Sequence, residues 1–332
     1  MQGIENKMTS LEEMKDKGYI PQKMYAKLFV GGAVSLSKTL LFNMADLKKL
    51  RNIPPSSERY IRPKREYEIP KYKPSMKVCN SNEKYLRPTL YCDHKEPEVV
   101  ALAHSLGAFK KSDREYAEAA FNLVKEKTTL EMIPFNRVGE TLSRSTGTCF
   151  HLNTAFIALC RAAGIKARYK VFAMNMIQAF QNAIVDADPL VKKWYDSMGY
   201  FMLEGESEVF IDGKWEVAHV GPRAERQAAS GIPITKFGED SIGRWCFAVP
   251  GTIMIMESIP YGFAGSTRLL KIIAPGSMER INISILKEIE KGRKIIDDAG
   301  GVEAYDKKAR SEGGPKKPEL KIKDNKKIIF ED

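Results

Sequence analysis

Cys149 lies where a helical pattern of apolar residues begins, a position suited to nucleophilic chemistry. The apolar face consists of Leu152, Ala155, Phe156, Leu159 and Ala163, at the spacing of one helix side. Free N–H groups and the dipole at a helix N-terminus stabilise a thiolate. We therefore predict a lowered pKa for the Cys149 thiol, with its N–H as an oxyanion donor and Gly147 admitting a substrate carbonyl. Cys160, in mid-helix, is predicted to be inert packing.

A carboxylate–histidine pair is predicted on a hairpin farther along the chain. Two β-rich runs flank Asp212-Gly213, a strong hairpin signal, at residues 200–211 and 214–220. If Asp212-Gly213 forms the turn, Glu206 lies directly opposite His219 and Glu204 lies diagonal to it. A carboxylate beside an imidazole fixes its tautomer and stabilises its protonated form. Cysteine, histidine and carboxylate are the parts of thiol-dependent acyl transfer; the alternative is a surface hairpin with scattered charge.

These groups must be positioned by a scaffold of helices and strands. A Ser112–Glu115 capping box begins a predicted helix, and Gly164 is placed to end the Cys149 helix. In chain order the other expected elements are a helix at 113–127, a loop at 129–144, a half-exposed strand at 165–171, a helix at 188–198 and an amphipathic helix through 278–296.

Three segments lie outside this scaffold. Residues 53–75 carry five prolines among basic and aromatic residues; they suit either single-stranded nucleic acid or an extended arm packed on the domain, and we favour the arm. Leu28–Leu50 is expected to pack on the core rather than lie on a membrane. The Lys/Pro-rich tail after Gly313 is expected to be loose.

Composition limits the class of protein further. The 332 residues are 43% hydrophobic and carry 53 basic and 42 acidic side chains, a net charge of +11, which is compatible with a solvated mixed-sign surface. No complete nucleic-acid recognition motif occurs, so no specific nucleic-acid partner is predicted. Five cysteines do not form a disulfide framework, and residues 1–27 are polar without a signal peptide. We expect a cytoplasmic protein without a transmembrane segment.

The strongest motif runs from Thr146 to Arg168. It contains Gly147-Thr-Cys149 followed by Leu159-Cys-Arg-Ala-Ala-Gly-Ile-Lys-Ala-Arg168 and resembles the nucleophile helix of the transglutaminase-like superfamily, whose fold is papain-like. Glu208-Val-Phe-Ile-Asp-Gly-Lys-Trp215 resembles the hairpin of that family. The resemblance covers about residues 100–222. It implies an α+β fold with a nucleophile helix packed on an antiparallel sheet, and a Cys-His-Asp triad for peptide cleavage, transamidation or amide synthesis.

Cys149 matches the family's nucleophile, but the other two positions are exchanged. Glu204 occupies the place of the family's histidine, and His219 occupies the place of its aspartate. Either His219 still serves Cys149, with Glu204 or Glu206 bridging or orienting it, or the domain binds without catalysing. We predict the former: a hydrolase or acyltransferase acting on a peptide, protein or small amide.

In this prediction Cys149 is the nucleophile, His219 the acid/base and Glu204 (or Glu206) its partner. No metal or organic cofactor is implied. A catalytically inactive binding module is the alternative. The predicted domains are an N-terminal helical region with the basic arm (1–100), the transglutaminase-like core (101–235) and a C-terminal extension with an amphipathic helix (236–332).

Overall fold

The computed structural model describes residues 58–249, 252–259 and 263–318, together with the helical positions 34, 37, 38, 41 and 42. The prediction for Leu28–Leu50 falls mostly outside these residues, and that for the tail does so beyond residue 318. The helices are α1 (Pro97–Leu106), α2 (Asp113–Lys127), α3 (Val138–Arg144), α4 (Cys149–Ala162), α5 (Gln178–Phe180) with a π-helical turn (Gln181–Val185), α6 (Pro189–Met198), α7 (Ala224–Ala229), α8 (Phe263–Ile273), α9 (Pro275–Asp298) and α10 (Val302–Ser311).

The central sheet is antiparallel and holds five strands in the order β5-β4-β3-β6, with β7 also paired to β3. Its strands are β3 (Ala167–Asn175), β4 (Phe201–Ile211), β5 (Lys214–Ala218), β6 (Phe247–Ala248) and β7 (Met254–Met256). A separate parallel pair joins β1 (Thr129–Leu130) to β2 (Thr146–Gly147). The α+β class is thereby confirmed.

The β4–β5 hairpin has the register that the Asp212-Gly213 turn predicts. Ile211 pairs with Lys214, and Glu208 pairs with Val217. Both turn residues have positive φ, 53° at Asp212 and 80° at Gly213, as a two-residue hairpin turn requires. Because side chains alternate along a strand, this register decides which carboxylates can reach His219.

Helix α4 is buried along almost its whole length against β3 and β4. The Asn153 amide donates a hydrogen bond to the Gly205 carbonyl at 2.7 Å, and the Ser207 hydroxyl donates to Asn153 Oδ1 at 2.7 Å. Gly205 brings the strand close, since a Cβ there would lie 3.5 Å from the Asn153 amide nitrogen. These contacts fix the distance and rotation of the helix that begins with Cys149.

The strand predicted at 165–171 is confirmed as the first part of β3, but its half-exposure is wrong, because β3 is buried on both faces with Arg168 alone partly exposed. Tyr169 and Val171 join the core that contains α4, whereas Phe172 and Met174 join a second core with Ile281 and Ile285 of α9 among its members. The alternating residues Lys166, Arg168 and Lys170 had suggested that one face of the strand is exposed to solvent. Lys170 is instead buried in ion pairs with Glu206 and Asp240.

The other predicted helices are present in the structure, whereas the predicted loop is wrong in part. The Ser112–Glu115 capping box begins α2, Gly164 ends α4 with φ of 88°, and the helices expected at 188–198 and 278–296 are α6 and the greater part of α9. The loop expected at 129–144 is wrong in part, because it contains β1 and α3. The domain division stays a prediction, although β6 and β7 from its third region pair with β3 from its second.

The part of the basic arm that the structure describes, residues 58–75, is extended and packed on the folded chain. Tyr67 donates its hydroxyl proton to the Leu142 carbonyl at 2.7 Å, Arg62 forms an ion pair with Glu131 at 2.9 Å, and Arg65 donates to the Ser143 carbonyl at 3.2 Å. The predicted packed arm is confirmed over these residues. Among the described helices, none has the length and apolar character needed to cross a bilayer.

Candidate functional site

Cys149 is the first residue of α4, and the start of this helix is held by His151, two residues later. The Thr148 N–H donates to His151 Nδ1 at 3.0 Å, and His151 Nε2 lies 3.0 Å from Asn136 Oδ1. His151 thus closes a capping box in the place usually taken by Glu or Gln. Burial and the nearby Arg144 lower the pKa of His151 to about 3, so its imidazole is neutral and structural.

There is a steric reason for glycine at position 147, which the sequence did not suggest. A Cβ at this position would lie 2.4 Å from the Cβ of His151, too close for any other residue without a shift. The predicted role of Gly147 in admitting a substrate carbonyl remains a prediction. The same glycine is required by the His151 cap.

His219 follows β5 directly and is 1% exposed. Its Nδ1 lies 3.0 Å from Glu206 Oε1 and 2.8 Å from the Ser241 hydroxyl. Lys170 Nζ approaches the other Glu206 oxygen at 3.3 Å. The pairing of Glu206 with His219 that the hairpin register predicts is confirmed.

The environment of Glu206 favours its ionised form. Burial by itself would raise the pKa of this carboxyl group, but the hydrogen bond and charge of His219, with Lys170 and Ser241, lower it to about 2. An ionised carboxylate at Nδ1 holds the proton on that nitrogen and leaves Nε2 free to accept one. His219 is therefore oriented for acid/base chemistry through Nε2.

A loop between residues 240 and 246 completes the surroundings of His219. The Ser241 N–H and hydroxyl both donate to Glu206 Oε1. The Trp245 ring packs on the imidazole, with the two centroids 4.7 Å apart and the planes inclined by 50°. Neither residue was predicted. They lie more than 20 residues beyond His219 in the sequence, and no motif marks them.

Glu204 lies at the thiol, and this reverses the predicted titration of Cys149. The Glu204 carboxyl group lies close enough to Cys149 for its charge to act on the thiol, and it accepts a hydrogen bond from the Gly205 N–H at 3.1 Å. Burial, then the charge of Glu204, raise the pKa of the Cys149 thiol well above its ordinary value, while the N–H groups of Phe150 and Cys149 act in the opposite direction. The prediction of a lowered pKa is wrong because burial and Glu204 outweigh the helix terminus.

Gly221 lies between the thiol and the imidazole. A Cβ on this residue would be 3.3 Å from His219 Nε2 and 4.0 Å from the Cys149 Cβ. The accepting nitrogen of His219 and the nucleophile candidate thus border the same small space. Glu204 interacts with both, because the charge of His219 opposes the burial that raises the Glu204 pKa.

The family model of the transglutaminase-like superfamily matches residues 100–193. This part of the chain is similar to the core of that superfamily. It includes α4 and Cys149 but ends before the β4–β5 hairpin. No curated protein matches the chain. A solved structure named a putative cysteine protease from Cytophaga hutchinsonii is 18% identical, with a TM-score of 0.30; the alignment covers 41% of this chain and 40% of that one.

The hairpin that adjoins the transglutaminase-like core carries the exchanged residues. Glu204 lies beside Cys149, at the position where the family resemblance places a histidine. His219 is in contact with a second carboxylate, that of Glu206. The arrangement thus contains two carboxylates, one at the thiol and one at the imidazole.

Among the described residues no three His, Cys, Asp or Glu side chains form a group that could hold a metal ion.

Proposed function

We propose that this protein is a cysteine-dependent enzyme that acts on an amide or acyl bond. Cys149 is the nucleophile, His219 the acid/base, Glu206 the carboxylate that orients His219, and Glu204 the group that bridges thiol and imidazole. The observation that carries the proposal is the buried 3.0 Å contact between His219 Nδ1 and Glu206, because it directs Nε2 toward the space beside Cys149. A transglutaminase-like core with a cysteine at its helix start supports the same chemistry.

The proposed reaction begins from a neutral thiol. As Cys149 Sγ attacks the substrate carbonyl, its proton passes to Glu204 and from there to His219 Nε2, and Glu206 stabilises the imidazolium that forms. The imidazolium gives this proton to the departing amine, which leaves an acyl-thioester on Cys149. Water or a second amine then takes the acyl group. The first outcome is hydrolysis and the second is transfer.

The substrate class is a peptide, a protein or a small amide. The segment at 179–200 and the basic arm at 53–75 are the elements we propose to select it, because loops and insertions on a rigid core commonly do so. All five cysteines are free, which fits the reducing cytoplasm that the sequence predicts.

A second candidate function is a binding module without catalysis. The raised pKa of the Cys149 thiol favours it, since a protonated thiol is a weak nucleophile. The two functions differ in one measurable step. An enzyme forms a thioester at Cys149 with an activated acyl donor and then loses it, whereas a binding module does neither faster than an ordinary thiol.

The test is acylation by p-nitrophenyl acetate, followed by mass spectrometry of each cysteine. We expect Cys149 to acetylate faster than Cys79, a thiol that is also only partly buried and serves as the internal control. His219→Asn should slow both formation and loss of the thioester. Equal acetylation of Cys149 and Cys79, unaffected by His219→Asn, would establish the binding module instead.

A further inference from the structure

Lys125 of α2 is a buried cation that the proposed reaction does not use. It is 4% exposed. Its ammonium donates to the Pro222 carbonyl at 2.8 Å and to the Gln227 side-chain oxygen at 3.0 Å. Burial of a charged group is costly unless the group is paired and hydrogen-bonded, so these two acceptors are what keeps the ammonium in this place. Both partners lead toward His219.

The first connection is through the backbone. Pro222 comes three residues after His219 and directly after Gly221, whose Cα faces His219 Nε2 and Cys149. Because proline has no backbone N–H, Pro222 can form backbone hydrogen bonds only through its carbonyl. The carbonyl of Pro222 accepts the hydrogen bond of the Lys125 ammonium. The turn from His219 to Pro222 is thereby tied to α2.

The second connection is a relay of side chains. Gln227 uses its oxygen for Lys125 and its nitrogen for the Thr235 hydroxyl, at 2.7 Å. The Trp245 indole N–H donates to the same hydroxyl at 3.0 Å. The Trp245 ring then packs on the His219 imidazole at 4.7 Å. Lys125, Gln227 and Thr235 together fix where this ring lies.

We propose that Lys125 is a positioning residue for His219, acting through the Pro222 carbonyl on one side and through Gln227, Thr235 and Trp245 on the other. Its effect on catalysis depends on the proposed function, whereas its effect on the imidazole does not. Lys125 itself contacts neither the thiol nor the ring.

The proposal holds in both protonation states of Lys125. The pKa of Lys125 is lowered to about 7, because the effect of burial exceeds the opposing effect of the charges of Glu126, Glu239 and Glu225. The Phe121 ring lies 5.8 Å from the Lys125 nitrogen. A neutral amine keeps two N–H donors, enough for Pro222 and Gln227. Lys125 can therefore hold both connections above and below neutrality.

The test uses variants that break each connection separately. Lys125→Met removes both, Thr235→Val removes only the relay without a change of charge, and Thr235→Ser restores the hydroxyl. Lys127→Met is the matched control, because Lys127 lies on the same helix and is exposed, in a surface ion pair with Glu66. The measurement is the nitrogen chemical shifts of the His219 ring against pH, assigned with His219→Asn.

We expect Lys125→Met and Thr235→Val to shift the His219 titration by about half a pKa unit, the scale of a ring contact, and Thr235→Ser and Lys127→Met to leave it near wild type. If Lys125→Met does not fold, the Thr235 pair still decides. An unchanged His219 titration in Thr235→Val overturns the proposal. A shifted titration with no thioester at Cys149 in the wild type would uphold it and overturn the proposed function.

Discussion

The carboxyl group of Glu204 acts on the Cys149 thiol and, after burial, is the main cause that raises its pKa, so an acid rather than an imidazole sets the resting state of the nucleophile candidate. A negative charge in contact with a thiol disfavours the thiolate. The helix N-terminus favours it, but to a smaller extent here. The resting thiol is protonated at neutral pH.

Glu204→Gln should therefore make Cys149 more reactive toward iodoacetamide. Removal of a neighbouring charge shifts a pKa by about one unit or more, which corresponds to about tenfold faster alkylation at neutral pH. Glu208→Gln is the control, since Glu208 lies four residues away on the same strand, paired with Arg168 at 2.7 Å. Slower alkylation of Glu204→Gln would mean that Glu204 activates the thiol before substrate arrives.

Glu206→Gln should lower the free energy of unfolding in a pH-dependent way. The pKa of Glu206 is lowered to about 2 in the folded chain, so its carboxylate stabilises the fold above its ordinary pKa of 4.5. This contribution disappears as the pH falls toward 2. We expect a loss of about 3 kcal/mol at pH 7, measured by urea unfolding.

The difference between Glu206→Gln and wild type should shrink as the solution is acidified below pH 4.5. Glu290→Gln is the control, because Glu290 is an exposed residue of α9 in a surface pair and its loss should change little at any pH. A constant difference from pH 7 to pH 3 would contradict the assignment of an ionised Glu206.

His151→Gln should flatten the acid side of the stability profile. The pKa of His151 is lowered to about 3 from an ordinary 6.5, so between these values the unfolded chain binds a proton that the folded chain does not. Wild-type stability then falls as the pH decreases through this window, by about 1.4 kcal/mol per unit at most. The variant loses that slope. Identical slopes in both proteins would show that His151 is not buried neutral.

Gly221→Ala should block the space between Cys149 and His219 without unfolding the chain. The φ of Gly221 is not positive, so alanine suits the backbone, but its Cβ would stand 3.3 Å from His219 Nε2. We expect acetylation of Cys149 to fall at least about tenfold, about 1.4 kcal/mol, at unchanged thermal stability. Gly265→Ala is the control, since nothing lies within 4 Å of a Cβ there; equal acetylation in both variants would contradict this.

The sequence predicts the parts of the site that local rules determine. An Asp-Gly turn fixes the register of a hairpin, which is why the contact of Glu206 with His219 follows from residues 200–220 alone. A helical pattern and a glycine cap locate α4 and its first residue. These features depend on neighbours within about 20 residues in the chain.

The parts that the sequence did not predict depend on distant contacts. Ser241 and Trp245 contact His219 from another segment, Lys125 is connected to it through Pro222 and Gln227, and no spacing relates these residues. The pKa of Cys149 was mispredicted for the same reason. The effect of a helix terminus is local, whereas burial and the approach of Glu204 arise only when the sheet packs against α4.

The loop that carries Ser241 and Trp245 has a consequence for the order in which the protein becomes complete. Chains are synthesised from the N-terminus, and their earlier parts begin to fold first. Cys149, Glu206 and His219 leave the ribosome before the loop that covers the imidazole, and before β6 and β7, which finish the sheet beside β3. A nascent chain that ends near residue 235 therefore presents a thiol and an imidazole that are not yet aligned or shielded. We therefore expect the reactivity proposed for Cys149 to appear only when the last third of the chain has been made.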